Sequence, residues 1–325
     1  MKNFVIAEIS GNHCKSKKIL KETIIGCFNA GANAVKMQYY KADDLVNKFS
    51  NEKYKTGIWR GKTPYQILKK SETDINLVKY GFKLSKKYNL EFLCSVFEPK
   101  DFSKLRKIGI KNFKIASLEA NYINLIKKIK NKNNFFISLG ALGLNEFKKY
   151  KKYFNLKKNI FFYCKIKYPS LIFDYDLKQI AKLKKFSKNI GISDHTKSLK
   201  MGNYAKQFGA NYFEKHVKLN NKIKSEDSKF SITVKELKKY IYYIKQKNIK
   251  YKYNNKKNNN NEIFKTRKIF VIKDLKKYSI IKRKHLGFFR SLQGIETINI
   301  NKILGKKTTK DIQKGTKIHF NHLII

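Results

Sequence analysis

The sequence predicts an α/β chain: a closed (β/α)8 barrel of the TIM type followed by a small, mostly β domain. Three observations carry this expectation. Short β-rich runs alternate with helix-like stretches through the first 245 of 325 residues. The runs number eight, the count at which a parallel sheet closes, whereas an open doubly wound sheet usually stops at about five to seven strands. Beyond them an Asn/Lys-rich tract gives way to a different pattern of short β-like runs and Gly turns.

In chain order the expected strands are FVIAEIS (4–10), AVKMQYY (34–40), LEFLCSVF (90–97), NFKIAS (112–117), FFISLG (135–140), IFFYCKIKYP (160–169), NIGISDHT (189–196) and YFEKHVKL (212–219). Between them lie amphipathic segments such as KKILKETIIGCFNAGA and DLKQIAKLKKFSKN, whose apolar residues recur at three and four, as crossover helices require. The barrel is expected over residues 1–244. Residues 245–262, KQKNIKYKYNNKKNNNNE, have almost nothing to bury and read as a linker, leaving 263–325 as the second domain.

A net charge of +51 would ordinarily suggest a polyanionic partner. Only five of the 74 basic residues are Arg, however, and Arg is the residue suited to bidentate phosphate and base contacts. Abundant Lys, Asn, Ile, Phe and Tyr are served by A/T-rich codons, so the charge reads as codon bias displayed on solvated helix faces, with no specific nucleic-acid partner. Four scattered cysteines without a CxxC pair indicate neither zinc nor disulfides and fit a reducing cytoplasm. No signal peptide opens the chain, and no apolar run approaches the ~18 residues a span needs, so no membrane is expected.

Polar groups at the C-terminal strand ends of such a barrel face the substrate, and side chains two apart on a strand share a face. That parity pairs Glu8 with Ser10, Lys36 with Gln38, Ser193 with His195, and Glu214 with His216. His195 and His216 fall on neighbouring strands, about 4.8 Å apart, beside Glu214 and Asp194, so a divalent metal is expected there. Two nitrogens with the other positions left to oxygen suit Mn²⁺, Co²⁺ or Mg²⁺. Lys36, Lys114, Ser117, Ser138 and Ser193 converge on the same mouth as an anion pocket. A barrel lysine also suits Schiff-base chemistry, and the residues alone leave that open. No GxxxxGK[ST], GxGxxG or GxSxG supports a nucleotide-binding or serine-hydrolase reading.

Six motifs together resemble the sialic acid synthase family: IAEISGNH, GANAVKMQ, FKIASLEAN, YPS, ISDHT and FEKH, each at its strand. The C-terminal FRSLQGI and ILGKKTTKDI are similar to that family's antifreeze-like (SAF) domain. ASLEAN, GIW with TPYQ, and SEDSKFS most resemble the pseudaminic acid synthases within it.

The resemblance implies condensation of phosphoenolpyruvate with an N-acetylated hexose, 2,4-diacetamido-2,4,6-trideoxy-L-altrose, releasing phosphate. It implies a metal on His195 and His216, phosphoenolpyruvate held by Lys36, Lys114, Ser117, Ser138 and Ser193, and Glu214 orienting water or sugar. Glu119 would handle the proton of the attacking water and count with Glu214 and Lys114 as catalytic, while Glu8, Gln38, Tyr168, Asp227 and Arg290 contact the sugar. Arg290 would reach from the small domain into a partner's barrel, making a domain-swapped homodimer. The chain departs from the family at Leu139, Ile166, Cys14-Lys15 and Ser291. Rival readings are a sialic or legionaminic acid synthase and a non-catalytic polyanion-binding protein.

Overall fold

Eight parallel strands close on themselves. The computed structural model describes residues 3–48, 52–129, 135–247, 249–251 and 265–324. The strands are β1 (Phe4–Glu8), β2 (Ala34–Tyr39), β3 (Glu91–Val96), β4 (Asn112–Ile115), β5 (Phe135–Ser138), β6 (Ile160–Cys164), β7 (Ile190–Asp194) and β8 (Tyr212–Lys218). Each pairs with the next in sequence, and β8 returns to β1. All eight expected strands form, mostly one to three residues shorter at their C-terminal ends, where the chain turns out of the barrel to build the mouth.

Helices α1 (Lys17–Asn29), α2 (Ala42–Leu45), α3 (Pro64–Ser71), α4 (Ile75–Lys87), α5 (Pro99–Lys107), α6 (Ile123–Ile129), α7 (Gly143–Tyr150), α8 (Lys178–Leu183), α9 (Met201–Gln207) and α10 (Val234–Lys245) link or follow the strands. Local chemistry sets several starts. The Ser16 hydroxyl accepts the Ile19 N–H at α1, and Thr63 with Gln66 and Thr233 with Glu236 form reciprocal caps at α3 and α10. A two-residue strand, β9 (Ile232–Thr233), extends β8 just before α10.

Inside the barrel, side chains at alternate positions stack in layers. The bottom layer is apolar: Ile6, Ala34, Leu93, Phe136, Ile160 and Phe162, all buried. A Cβ on Gly191 would lie 2.6 Å from the Tyr212 carbonyl oxygen and 2.7 Å from the Phe162 ring, so glycine is what lets that ring fit. One step up, the same parity brings Glu8, Lys36, Ser95, Lys114, Ser138, Ser193 and Glu214 into the barrel, almost all of them buried under 5% exposed.

The remaining chain forms a small unit with hairpin β10 (Thr266–Val271) and β11 (Leu286–Ser291), and a second pair, β12 (Lys307–Thr308) and β13 (Leu323–Ile324). Its apolar residues, among them Ile269, Val271, Leu286, Phe288, Ile303 and Ile318, merge with the barrel's outer core. Most of the expected linker, residue 248 and 252–262, lies outside the described residues. Its first part corrects the expectation that it has nothing to bury. Tyr251 packs on Tyr204 and Phe208 at centroid distances of 4.8 and 6.2 Å. Asn203 donates to the Tyr243 carbonyl and accepts the Ile249 N–H at 3.0 Å. The barrel's own packing therefore runs to residue 251.

Candidate active site

The polar layer is a charge-balanced quartet. Lys36 Nζ and Lys114 Nζ each stand 2.8 Å from Glu214 Oε2, and Lys36 lies 3.2 Å from Glu8 Oε2. The Ser193 hydroxyl donates to Glu214 Oε1 at 2.8 Å. Burial opposes the charge of Glu214, but Lys114 and Lys36 hold its carboxyl well below the usual range. The lysines diverge for a countable reason. Both are desolvated, yet Lys36 faces two carboxylates and is raised, whereas Lys114 faces one and burial pulls it down to about 8. Burial likewise pushes Glu8 up to about 7, with Lys36 working against it.

Above the quartet sit the two imidazoles, with ring centroids 5.5 Å apart. His195 Nδ1 is 2.6 Å from the Lys165 carbonyl oxygen. A carbonyl only accepts, so Nδ1 carries the proton and Nε2 keeps a lone pair. Nε2 lies 3.3 Å from Ser193 Oγ, whose hydrogen already goes to Glu214. His216 Nδ1 is buried with no hydrogen-bond partner among the described residues. Burial pushes His195 down to about 4, and burial together with His195 and Lys36 pushes His216 well below its ordinary value, so both rings are neutral at pH 7. Two neutral imidazoles, one with a free lone pair and one with an orphaned nitrogen, are the donor chemistry a divalent ion needs. Among the described residues no cluster of three or more His, Cys, Asp or Glu completes a protein-only site, so the remaining positions would fall to water or substrate.

These groups open into a cavity of about 520 Å³ lined by Lys36, Gln38, Lys114, Ser117, Ser138, Ser193, His195, Glu214 and His216, with Tyr168 and Asp227. Its outer wall is aromatic and basic. The Tyr168 ring lies 4.3 Å from His195 and 5.0 Å from Phe230, and Trp59 lies 5.7 Å from Tyr168. Glu226 secures Trp59 by accepting its indole N–H on the backbone at 3.3 Å, and pairs with Lys62 and Lys70 at 3.2 and 2.9 Å. From the small unit, Phe270, Arg290, Ser291 and Lys317 complete the wall.

Residues 23–256 match the NeuB family. The chain belongs to that family. It is 32% identical over 97% of its length, and 94% of the relative's, to a pseudaminic acid synthase of Campylobacter jejuni. It is 28% identical over 98% of its length, and 94% of the relative's, to an N,N'-diacetyllegionaminic acid synthase of Legionella pneumophila. The crystal structure of the spore coat polysaccharide biosynthesis protein spsE of Bacillus subtilis superposes over 100% of this chain and 96% of its own, with a TM-score of 0.82 at 20% identity, which shows a shared fold.

Within this NeuB-family fold, one sequence expectation needs correction, and three carboxylates have surroundings that the sequence did not show. Asp194 does not join the histidines. It lies on the opposite parity of β7 and turns behind the barrel, where its carboxylate pairs with Lys215 at 2.7 Å. Glu214 lines the cavity with Oε2 taken by two ammonium groups, and its Oε1, which accepts the Ser193 hydroxyl, keeps one acceptor site. Glu8 is absent from the cavity lining; it accepts the Gln38 amide at 2.8 Å and so supports a residue that does line it. Glu119 is also absent from the lining, and both its oxygens are taken by guanidinium groups. Arg290 donates to Oε1 at 2.7 Å and to Oε2 at 2.9 Å, and Arg267 donates to Oε1 at 3.2 Å. Arg290 reaches its own chain's barrel in this structure, with the connecting residues 252–264 outside the described set.

Asp227 lines the cavity as expected and accepts the Gly11 N–H at 2.9 Å, with burial raising its carboxyl. The departures at Ile166 and Ser291 line the cavity, whereas Leu139 is buried in the core and Cys14 sits exposed in a left-handed turn, φ 46°. Sequence reasoning missed Arg267, Trp59 and Phe230. The signal for the first two was composition: the chain has one Trp and five Arg.

Proposed function

We propose that this protein is a pseudaminic acid synthase, a transferase that joins phosphoenolpyruvate to 2,4-diacetamido-2,4,6-trideoxy-L-altrose and releases phosphate. The observation that carries the reading is the quartet beneath the paired imidazoles: two buried ammonium groups, held 2.8 Å from one carboxylate, at the bottom of a cavity large enough for both substrates. Glu214 keeps Lys36 and Lys114 oriented before substrate arrives, so an incoming carboxylate or phosphate meets preformed donors. Ser117, Ser138 and Ser193 add hydroxyls around it.

C3 of phosphoenolpyruvate forms the new bond to the aldehyde carbon, whose oxygen takes up a proton. The C2=C3 π bond is consumed in that step; water then adds at C2 and gives up both protons, one balancing that taken by the aldehyde oxygen and one going to the phosphate, which leaves with the electrons of the C2–O bond to give the C2 ketone. A divalent ion, Mn²⁺, Co²⁺ or Mg²⁺, held by His195 and His216 would supply Lewis acidity toward the aldehyde. The aromatic wall of Trp59, Tyr168 and Phe230 offers apolar faces to the sugar's methyl and acetamido groups, while Gln38 and Asp227 offer polar contacts. Tyr168 lies against His195, so a sugar on the aromatic wall would have the imidazoles beside it.

The same proposal assigns the synthase barrel from residue 1 past the expected 244 to 251, the rest of the expected linker, to 262, as a connecting segment, and 263–325 as an antifreeze-like domain. It places the protein in the cytoplasm as a domain-swapped homodimer. The Glu119–Arg290 contact forms equally when the small unit docks on a neighbour's barrel. Mixing the strongly impaired Arg290→Ala variant with inactive His216→Ala, with verified subunit exchange, should raise activity well above that of either variant alone in a swapped dimer and not in an unswapped one. No helix among the described residues is long and apolar enough to cross a membrane.

The test of the reaction is direct. Purified protein, Mn²⁺, phosphoenolpyruvate and each candidate hexose are combined, and phosphate release is followed with mass spectrometry of the product. The altrose derivative should turn over best, and His216→Ala should lose nearly all activity while remaining folded. Preference for a hexose of another configuration would reassign the product, and phosphate release with none of them would overturn the reading.

A further inference from the structure

The ASLEAN segment does more than border the mouth: it is where the small unit plugs into the barrel. Asn121 uses both ends of its amide on the Arg267 backbone, donating to the carbonyl at 3.2 Å and accepting the N–H at 3.3 Å. Its own carbonyl accepts the Thr297 hydroxyl at 2.5 Å, and Thr297 Oγ1 accepts the Ile123 N–H at 3.2 Å. Tyr122 packs on Phe288 at 5.3 Å. These contacts fix Arg267 at one point of the interface, where it is 0% exposed and the largest fully buried side chain.

A buried guanidinium must satisfy its donors or cost several kcal/mol. Arg267 does so on five groups. Nη1 donates to the Asp44 and Phe288 carbonyls at 2.6 and 2.5 Å, and Nη2 donates to the Phe97 carbonyl at 3.1 Å. Nη2 also stands 3.2 Å from Glu98, and Nε donates to Glu119 Oε1 at 3.2 Å. Two of these carbonyls belong to segments that follow barrel strands at the mouth: Asp44 in the short helix α2 after β2, and Phe97 immediately after β3. Glu119, held from below by Arg267, then accepts two donors from Arg290, whose guanidinium reaches the cavity.

We propose that Arg267 is a positioning residue: it locks the Glu119 carboxylate, and through it aims Arg290 into the substrate cavity. The proposal rests on the synthase reading only for its kinetic consequence. The geometry of the chain Arg267–Glu119–Arg290 stands without it, whichever barrel the small unit occupies. Lysine cannot substitute, because one ammonium cannot span five acceptors spread around a planar fork.

Two measurements test it. With 15N-labelled arginine the protein has only five side-chain Nε–H signals to assign. Those of Arg267 and Arg290 should be slow to exchange in the wild type, since each is bound to Glu119. In Arg267→Met the Arg290 signal should lose its protection while backbone protection in the barrel persists. A protected Arg290 signal in that variant overturns the proposal, independently of any reaction. Should Arg267→Met fail to fold, Arg267→Lys is read the same way. The second measurement is a double-mutant cycle in phosphate release. Arg267→Met and Arg290→Ala should each lower kcat/KM on the order of 10²-fold, as small misplacements of binding groups do. The double variant should fall no further than Arg290→Ala alone. Multiplying losses would show that Arg267 acts apart from Arg290 and sink the idea. An inactive wild type would instead count against the synthase reading and leave the exchange result to decide the positioning role.

Discussion

Two buried carboxylates organise this molecule, and they are held in opposite ways. On the barrel floor Glu214 is gripped by two lysines that come from the barrel's own strands, β2 and β4. At the rim Glu119 is gripped by two arginines that come from the small unit, 148 and 171 residues away in sequence. An ammonium is a point charge that can turn toward a new anion, whereas a guanidinium fork fixes direction. The floor is therefore suited to exchanging partners when substrate arrives, and the rim to staying put while it does.

The largest expected effect breaks the floor. Glu214→Gln leaves two buried lysines facing one fewer counter-charge, and loss of one member of a buried pair costs about 3–5 kcal/mol. Urea unfolding should show a loss of unfolding free energy of that size, seen as a lower midpoint, together with loss of turnover; an unchanged midpoint would mean that the lysines do not depend on Glu214. Next comes the rim. Arg290→Lys keeps the charge and removes the fork, and should lower kcat/KM on the order of 10²-fold, as the loss of an oriented donor does. Wild-type kinetics in that variant would erase the distinction between fork and point charge.

A third prediction separates the two sites by pH. Lys114 is pulled down by burial to about 8, whereas guanidinium groups do not titrate in this range. Above pH 8 the charged Lys114 needed for the anion falls by about tenfold per pH unit, so kcat/KM for phosphoenolpyruvate should decline, the free enzyme's group being the one reported. The stability term has the opposite sign. In the unfolded chain this lysine keeps its proton to its ordinary value, so the unfolded state binds more protons in that window and the contribution to stability rises with pH. A profile flat to pH 10 would contradict the floor assignment. The smallest effect lies on the surface. Lys149→Ala removes an exposed i,i+3 partner of Glu146 and should change neither turnover nor melting temperature. Duplex DNA binding driven by such lysines should be weak and vanish steeply with salt.

The floor was legible in the sequence, and the rim was not. Alternation along a strand is a local signal, so Glu8, Lys36, Ser193 and Glu214 could be assigned to one face without knowing any contact. The same rule, applied strictly, also sends Asp194 outward to Lys215; placing it beside the histidines ignored its parity. Glu119 could be found from its motif but not its partners, because nothing local links residue 119 to residues 267 and 290. The available clue was chemical. In a chain that spells nearly every cation as lysine, two of five arginines meet at one carboxylate. Tyr251 was lost for a related reason: a tract dominated by Asn and Lys hides a ring that packs against α9.

The cavity's wall is drawn from both ends of the chain, from Ser10 near the start and from Arg290 and Lys317 near the finish. On a ribosome those pieces appear in that order. A nascent or clipped chain carries the lysine floor long before Arg267 and Arg290 exist to close the side above it, so it can gather small anions but cannot shut them away from water. The order of synthesis is thus written into the site itself: only after Arg290 and Lys317 have been added does the chain carry every side of the cavity wall.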